Sequence, residues 1–453
     1  HLSIVCLAYG WIRRYLIIGR NGWSFLARDL SRPICNPSLL FSPFLITTTI
    51  TIANPTKTTM AEKADSADCT EVLEDDSKSI LLALIGQLRM GMDLHRVTLP
   101  TFVLEPRSML ERITDFMVHP DLLMTVHKIE DPVQRFVDVV RYYLSGWHIK
   151  PKGVKKPYNP ILGELFRCRY NYSDGTQAFY VSEQVSHHPP ISAYYFASPE
   201  NQTIIAGDLR PKSRFLGNSA ATLMQGASHI IFTNRDNERY DIVMPNVYAR
   251  GILFGTMTLE LGDNSTVRCE RSDLICELEF KTKGFFSGAY NSVFGKIKRE
   301  STGEVLYELS GRWTDVLYIK MHRASNKNVL FDVNTAQIHP KIVSPEAEQE
   351  PNESRRLWSK VTTAIRERDM EGATNEKTRI EDNQRNETRA REQEGVEWKP
   401  RYFDIVNDDF PFKLANISFT DPKAAKNQIE NFIFSKHEEG FQSPTSSHGS
   451  SFR

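Results

Sequence analysis

The chain is short of many features that would assign it a chemistry. Its six cysteines, Cys6, Cys35, Cys69, Cys168, Cys269 and Cys276, are scattered. None forms a CxxC pair, and none sits with histidine at zinc-finger spacing, so neither a disulfide framework nor a structural zinc is indicated. Lys plus Arg and Asp plus Glu are equal at 56 each, which removes bulk charge as an argument for a nucleic-acid partner. There is no nucleophile elbow, no glycine-rich phosphate loop and no pair of catalytic carboxylates, so an enzyme is not expected. No internal repeat occurs. The apolar run from Leu39 to Ala53 is broken by Pro43 and is shorter than the roughly 18–20 residues of a spanning helix.

What is present is the apolar content of a globular chain, 40% of 453 residues, enough for one large or two ordinary domains. The composition shifts at Met60 into the acidic stretch MAEKADSADCTEVLEDD. Residues 1–59 match neither a signal peptide nor a spanning helix, so we expect translation to start at Met60; the alternative is a genuine targeting segment on a fragment. Residues 60–78 read as an acidic disordered leader whose Glu71, Glu74, Asp75 and Asp76 repel one another. From Ser79, SILLALIGQL carries Ile80, Leu81, Leu84, Ile85 and Leu88 at helical spacing, either an ordinary core helix or a flap over an apolar cavity.

Two further helices are predicted. Residues 108–119 open with Ser108 and Glu111 as a capping box. Residues 131–144 have Asp131 as N-cap and Pro132 at the first helical position. From Leu162 to Val333 short alternating stretches such as AFYVSEQ, ISAYYFA, TIIAGDL and VLYELSG follow one another between Gly, Asn and Asp turns. That is the pattern of an antiparallel sandwich or barrel. A sheet this large splits into layers or curls around something. Beyond Pro345 the chain turns helical and charged: ESRRLWSKVTTAIRERD reads as an amphipathic helix with Leu357, Trp358, Val361 and Ile365 on one face. Residues 374–394 form an almost wholly polar stretch, and residues 435–453 a disordered tail.

The segment EQVSHHPP (Glu183–Pro190) sets two imidazoles beside two prolines. Neighbours on a strand face opposite ways, which suits a metal poorly. Protonated imidazoles can donate to phosphate oxygens, and prolines fix where they point. Together with LPTFVLEPRSMLERITDFM (Leu99–Met117), GWHIKPKGVKKPYNPILGELF (Gly146–Phe166), KSRFLGNS (Lys212–Ser219) and EGVEWKPRYF (Glu394–Phe403), it resembles the oxysterol-binding-protein-related family. LPTFVLEPRSMLERITDFM and YARGILFGTM resemble most the short fungal branch that exchanges phosphatidylserine for phosphatidylinositol 4-phosphate.

The resemblance implies a mainly β fold with flanking helices: a large incomplete antiparallel barrel around a lipid tunnel. A domain over 79–434 would include a lid at 79–104 and a C-terminal helical part at 345–403. Implied at the mouth are Lys156 and Asn159 on the lipid head group, and His187 and His188 on the 4-phosphate. Arg385 joins them there, with Lys377 and Glu381 on the inositol ring. These last three recur every four residues, which an exposed ion-pair ladder would also explain. Leu99, Thr101 and Ser213 match positions that touch phosphatidylserine. The implied function is cytosolic lipid transfer at endoplasmic reticulum–plasma membrane contacts. Anionic membrane surfaces and an endoplasmic-reticulum tether would be partners, and there would be no cofactor beyond the bound lipid and no metal. A sterol carrier and a lipid-sensing regulator without useful flux are the alternatives.

Overall fold

The computed structural model describes residues 101–435 apart from 152, 253–256 and 284–288, together with Met90 and Met92. The stretch Ile80–Leu88, Leu99, the leader, residues 1–59, Lys152 and residues 436–453 lie outside them.

The alternating stretches fold as expected into one curled 14-stranded sheet. Its strands are β3 (Leu165–Asn171), β4 (Gln177–His187), β5 (Pro190–Ser198), β6 (Thr203–Phe215), β7 (Ser219–Gln225), β8 (Ser228–Phe232), β9 (Glu238–Val243), β10 (Asn246–Arg250), β11 (Thr258–Cys269), β12 (Leu274–Lys281), β13 (Ser292–Arg299), β14 (Val305–Arg312), β15 (Val316–Met321) and β16 (Asn328–Asp332). A separate parallel ribbon joins β1 (Leu104–Ser108) to β2 (Lys156–Tyr158). The long β6 and β11 are bridged twice: β8 and β9 connect them at one end, and β7 and β10 at the other.

Strands β4 and β5 are apolar on both faces because both are covered. Tyr180 and Tyr194 point into the main core, while Phe179, Val181, Ala193 and Tyr195 face a second core. That second core is supplied by Tyr402, Phe403 and Phe412 and by the helix Pro422–Phe434.

The first predicted helix is short. Met109–Arg112 (α1) is capped by Ser108, then tightens into a 3-10 stretch, Ile113–Met117. The capping box is only half made. Glu111 turns away from the cap because Arg355 at 2.7 Å and Lys341 at 3.3 Å claim it. The second, α2 (Pro132–Ser145), has the expected Asp131 cap at 2.9 Å and packs into the main core. The amphipathic helix after Pro345 is interrupted at Trp358 into α3 (Ser354–Leu357) and α4 (Ser359–Arg366). The polar stretch is α5 (Met370–Glu394). Helix α6 (Pro422–Phe434), which the sequence reading left out, buries Ala425, Ile429 and Ile433.

The sheet path ends at β3 and β16, so the barrel has a seam. Residues 333–342 cross it. Val333 bonds to Asp315, His339 to Val118, and Ile342 to Arg169 in both directions. Three aromatic rings pack inside. His119 Nδ1 lies 2.8 Å from the Gln337 carbonyl and so carries a proton. Its Nε2 then accepts from His148 Nε2 at 2.8 Å, with Phe331 against both rings. Burial, and the charge His119 would carry, hold His148 down at about 4; burial lowers His119 as well.

Unfolding frees these imidazoles to protonate near pH 6.5. Stability they contribute is therefore complete above pH 6.5 and lost as pH falls toward 4. We predict a loss on the order of 2 kcal/mol across that window, and a shallower slope for His148→Gln. Melting temperature against pH checks it; parallel slopes for the two proteins would rule the pair out as the cause.

Candidate functional site

Curling the sheet leaves a cavity of about 320 Å³ inside the barrel. Its wall follows the period of two that a strand imposes. Leu209, Pro211, Ser213 and Phe215 of β6 point inward, as do Ala220, Thr222 and Met224 around β7, and Val247 and Ala249 of β10. Tyr142 and Tyr143 of α2 and neighbouring Trp147 form another wall. The surface is overwhelmingly apolar; Arg112, Asp115, Ser213, Thr222 and Ser228 interrupt it, and the remaining polar groups include one lysine-rich segment. Lys150, Lys155, Lys156 and Asn159 come from one Pro-punctuated segment, and Gln184 and Ser192 face them from β4 and β5. Lys150 also lies over the Trp313 ring at 5.1 Å. This is the composition of a small-molecule site with an apolar body and a polar end.

Two buried carboxylates hold that end in place. Glu164 is fully buried and accepts from Ser108 Oγ, Ser354 Oγ at 2.7 Å, Trp358 Nε1 at 2.9 Å and the Ile161 amide at 3.1 Å. Burial pushes its carboxyl up, against the pull of these donors. Glu183, the first residue of EQVSHHPP, accepts the amides of Arg401 at 2.7 Å and Tyr402 at 2.9 Å. Burial raises it also. The block EQVSHHPP thus clasps EGVEWKPRYF, and GELF clasps LEPRS. Gly163 completes the junction: its φ is +76°, and a Cβ there would lie 2.4 Å from the Trp398 ring.

The residues singled out by resemblance occupy distinct places. Lys156 opens β2, Asn159 follows it, and both line the cavity. Ser213 lines it as well, its hydroxyl 3.2 Å from that of Thr222 on the paired strand. His187 ends β4 with Nδ1 3.1 Å from the Pro160 carbonyl, so it braces the loop carrying Asn159. His188 is exposed in the turn beyond. The two rings meet edge to face at 4.6 Å instead of taking opposite faces, because β4 stops between them. Among the described residues no group of His, Cys, Asp or Glu is arranged to hold a metal.

Lys377 and Glu381 pair with each other at 2.7 Å, and Arg385 pairs with Asp382. Their helix reaches the site through Ile380, which packs with Leu104, Tyr158 and Trp358 beside the strand that begins at Lys156. Thr101 is buried against the start of the same helix, donating to the Met370 carbonyl at 3.3 Å. Sequence reasoning missed Gln184, Thr222 and Trp313 as lining residues. The alternation of β6 and β7 would have yielded Thr222; nothing in the sequence marks Trp313.

Comparison with known proteins agrees with this architecture. The family profile described as Oxysterol-binding protein matches residues 83–365 and 362–425. An oxysterol-binding protein homolog of Schizosaccharomyces pombe is 52% identical over 347 residues, covering 74% of this chain and 72% of that one. The Osh1 ORD domain in complex with cholesterol superposes with a TM-score of 0.62 at 23% identity, over 79% of this chain and 92% of the other. The Osh3 ORD of Saccharomyces cerevisiae in complex with PI(4)P gives 0.57 at 18% identity, over 80% and 95%.

Removing the Glu164 carboxylate would strand the buried Ser108 hydroxyl and Trp358 indole, while Ser354 keeps the Leu165 carbonyl. We predict that Glu164→Ala lowers stability by about 3 kcal/mol, read by urea unfolding. A loss below about 0.5 kcal/mol would show that Glu164 is not the tie between these segments. Barrel, cavity, clasped blocks and sequence matches lead to one assignment: the chain belongs to the oxysterol-binding protein family.

Proposed function

We propose that this protein extracts a lipid from one membrane, shields it in the barrel and releases it at another, exchanging phosphatidylserine for phosphatidylinositol 4-phosphate. The observation that carries the reading is the division of the cavity into an apolar wall and one cationic, amide-bearing end. Two acyl chains hold about thirty methylenes, and exposing them to water costs over ~20 kcal/mol at about 0.8 kcal/mol each. An apolar wall replaces the bilayer interior at little net cost, which leaves selection to the head group. A buried phosphate needs charged or hydrogen-bonding partners. In this reading Lys156, Asn159, His187 and His188 supply them, with Lys377, Glu381 and Arg385 on the ring. The chemistry is carriage without bond making, so no catalytic residue is assigned. Cytosolic action at endoplasmic reticulum–plasma membrane contacts, with a tether there, belongs to the same proposal.

The choice of phosphatidylserine rests on the short-branch resemblance and on the Ser213–Thr222 hydroxyl pair in the wall. A sterol carrier is the second reading, because the remaining wall suits a rigid apolar ligand and the Osh1 domain was solved with cholesterol.

Liposome-to-liposome assays with separate sensors for phosphatidylserine, phosphatidylinositol 4-phosphate and ergosterol decide between them. We expect the first two to move in opposite directions and ergosterol to stay; ergosterol flux without phosphatidylserine flux would select the second reading. Lys156→Ala should reduce phosphatidylinositol 4-phosphate extraction at least ten-fold. Ser213→Ala with Thr222→Val should reduce phosphatidylserine extraction alone. Equal loss of both lipids in both variants would show that the proposed division of labour is wrong.

A further inference from the structure

One projecting element remains outside the cavity chemistry. Strand β5 pairs with β6 only as far as Leu209, yet β6 runs on to Phe215 and returns as β7. The inner side of this overhang, Ser213, Phe215 and Ala220, lines the cavity, so its tip stands on the cavity rim. The outer side presents Lys212 and Arg214, both exposed. At the tip Leu216 is 42% exposed, beside Gly217 at φ +86°. The Phe215 amide donates to the Met92 carbonyl at 3.1 Å, which docks Met92 against the tip. Met90 Cε lies 3.8 Å from where a Cβ on Gly217 would be. Met90 is 79% exposed and Met92 39%.

Three large apolar side chains therefore gather around one turn in water, with two cations on the flank. Single exposed apolar residues are ordinary, but a cluster of them edged by polar groups marks an interaction surface. Among the described residues, the neighbouring arginines Arg210 and Arg250 are engaged, by Asp208 and Asp408 and by Glu260. Flexible methionines and a leucine suit a disordered apolar medium better than a shaped protein pocket. Adjacent lysine and arginine suit an anionic surface above it.

We propose that the β6–β7 tip, Leu216 with Met90 and Met92, inserts into the acyl boundary of an anionic membrane, while Lys212 and Arg214 contact its head groups. The cavity rim is thereby set against the lipid it receives. This deepens the transfer reading and rests on it for the identity of the surface, but the insertion is measurable without any lipid moving.

The test uses the full chain and Leu216→Trp, with wild type subtracted for its native tryptophans. Val329→Trp on β16, where Val329 is 59% exposed, serves as the control. The probe is vesicles of phosphatidylcholine with one quarter phosphatidylserine, some carrying acyl chains brominated near the head group. We expect a blue shift and bromine quenching for Leu216→Trp and neither for Val329→Trp. Lys212→Glu and Arg214→Glu should each weaken binding to the anionic vesicles about five-fold and leave binding to pure phosphatidylcholine unchanged. Unchanged melting temperatures exclude misfolding. A tryptophan at position 216 that stays in water, with or without vesicle binding, overturns the proposal, as does equal quenching at both positions. Quenching at 216 in a protein that moves no lipid upholds the docking surface and refutes exchange.

Discussion

The burial of a carboxylate with four donors around it is the constraint on which the site depends. Glu164 receives bonds from β1, from α3, from the start of α4 and from its own turn. An ionised group this deep is costly unless saturated, so the segments that saturate it are held to one geometry. Two of them are the ribbon ends that carry the cationic segment to the cavity. Glu183 repeats the device one strand away, drawing in Arg401 and Tyr402. Segments 190 and 219 residues apart thus converge on adjacent strands.

From that frame the remaining chemistry follows with few parts. Strand alternation makes the wall greasy on the inside, while β4 and β5 are apolar on the outside as well because α6 and the 402–412 segment cover them. The polar residues inside include the Lys150–Asn159 segment, Arg112 and Asp115, the Ser213–Thr222 pair and Ser228. Apolar burial discriminates lipids weakly, by bulk; directed donors discriminate strongly, because an unmatched one is left unpaired. Under the transfer proposal, a molecule built this way selects by head group.

Much of this was legible in the residues. Period-two alternation gave the β body its extent, from Leu162 to Val333 against strands observed from Leu165 to Asp332. Asp131–Pro132 marked the start of α2. Where the reading fell short, a tertiary partner had overridden a local signal. Glu111 looked like half of a capping box until Arg355 and Lys341 claimed it. Trp358 looked like one stripe residue in a continuous helix, but its indole bond to Glu164 and its stacking on Tyr158 accompany a break there. Helix α6 carried an Asp–Pro start and Ala425, Ile429 and Ile433 at helical spacing, and was still passed over. The placement of Lys156 and Asn159 at the cavity came from resemblance; charge spacing alone offered only a solvated loop. No local pattern could disclose that Glu164 and Glu183 are the ties, since their partners lie far off in sequence.

The cover over β4 and β5 has a consequence for how the protein is made. Their outer face is sealed by residues 402–433, which leave the ribosome some 200 residues after β5 does. At about 5–20 residues per second, the nascent sheet shows a naked greasy flank for roughly 10–40 s. Until that tail arrives Phe179, Val181 and Tyr195 lack their cover, and a chain cut before α6 would keep part of that flank bare.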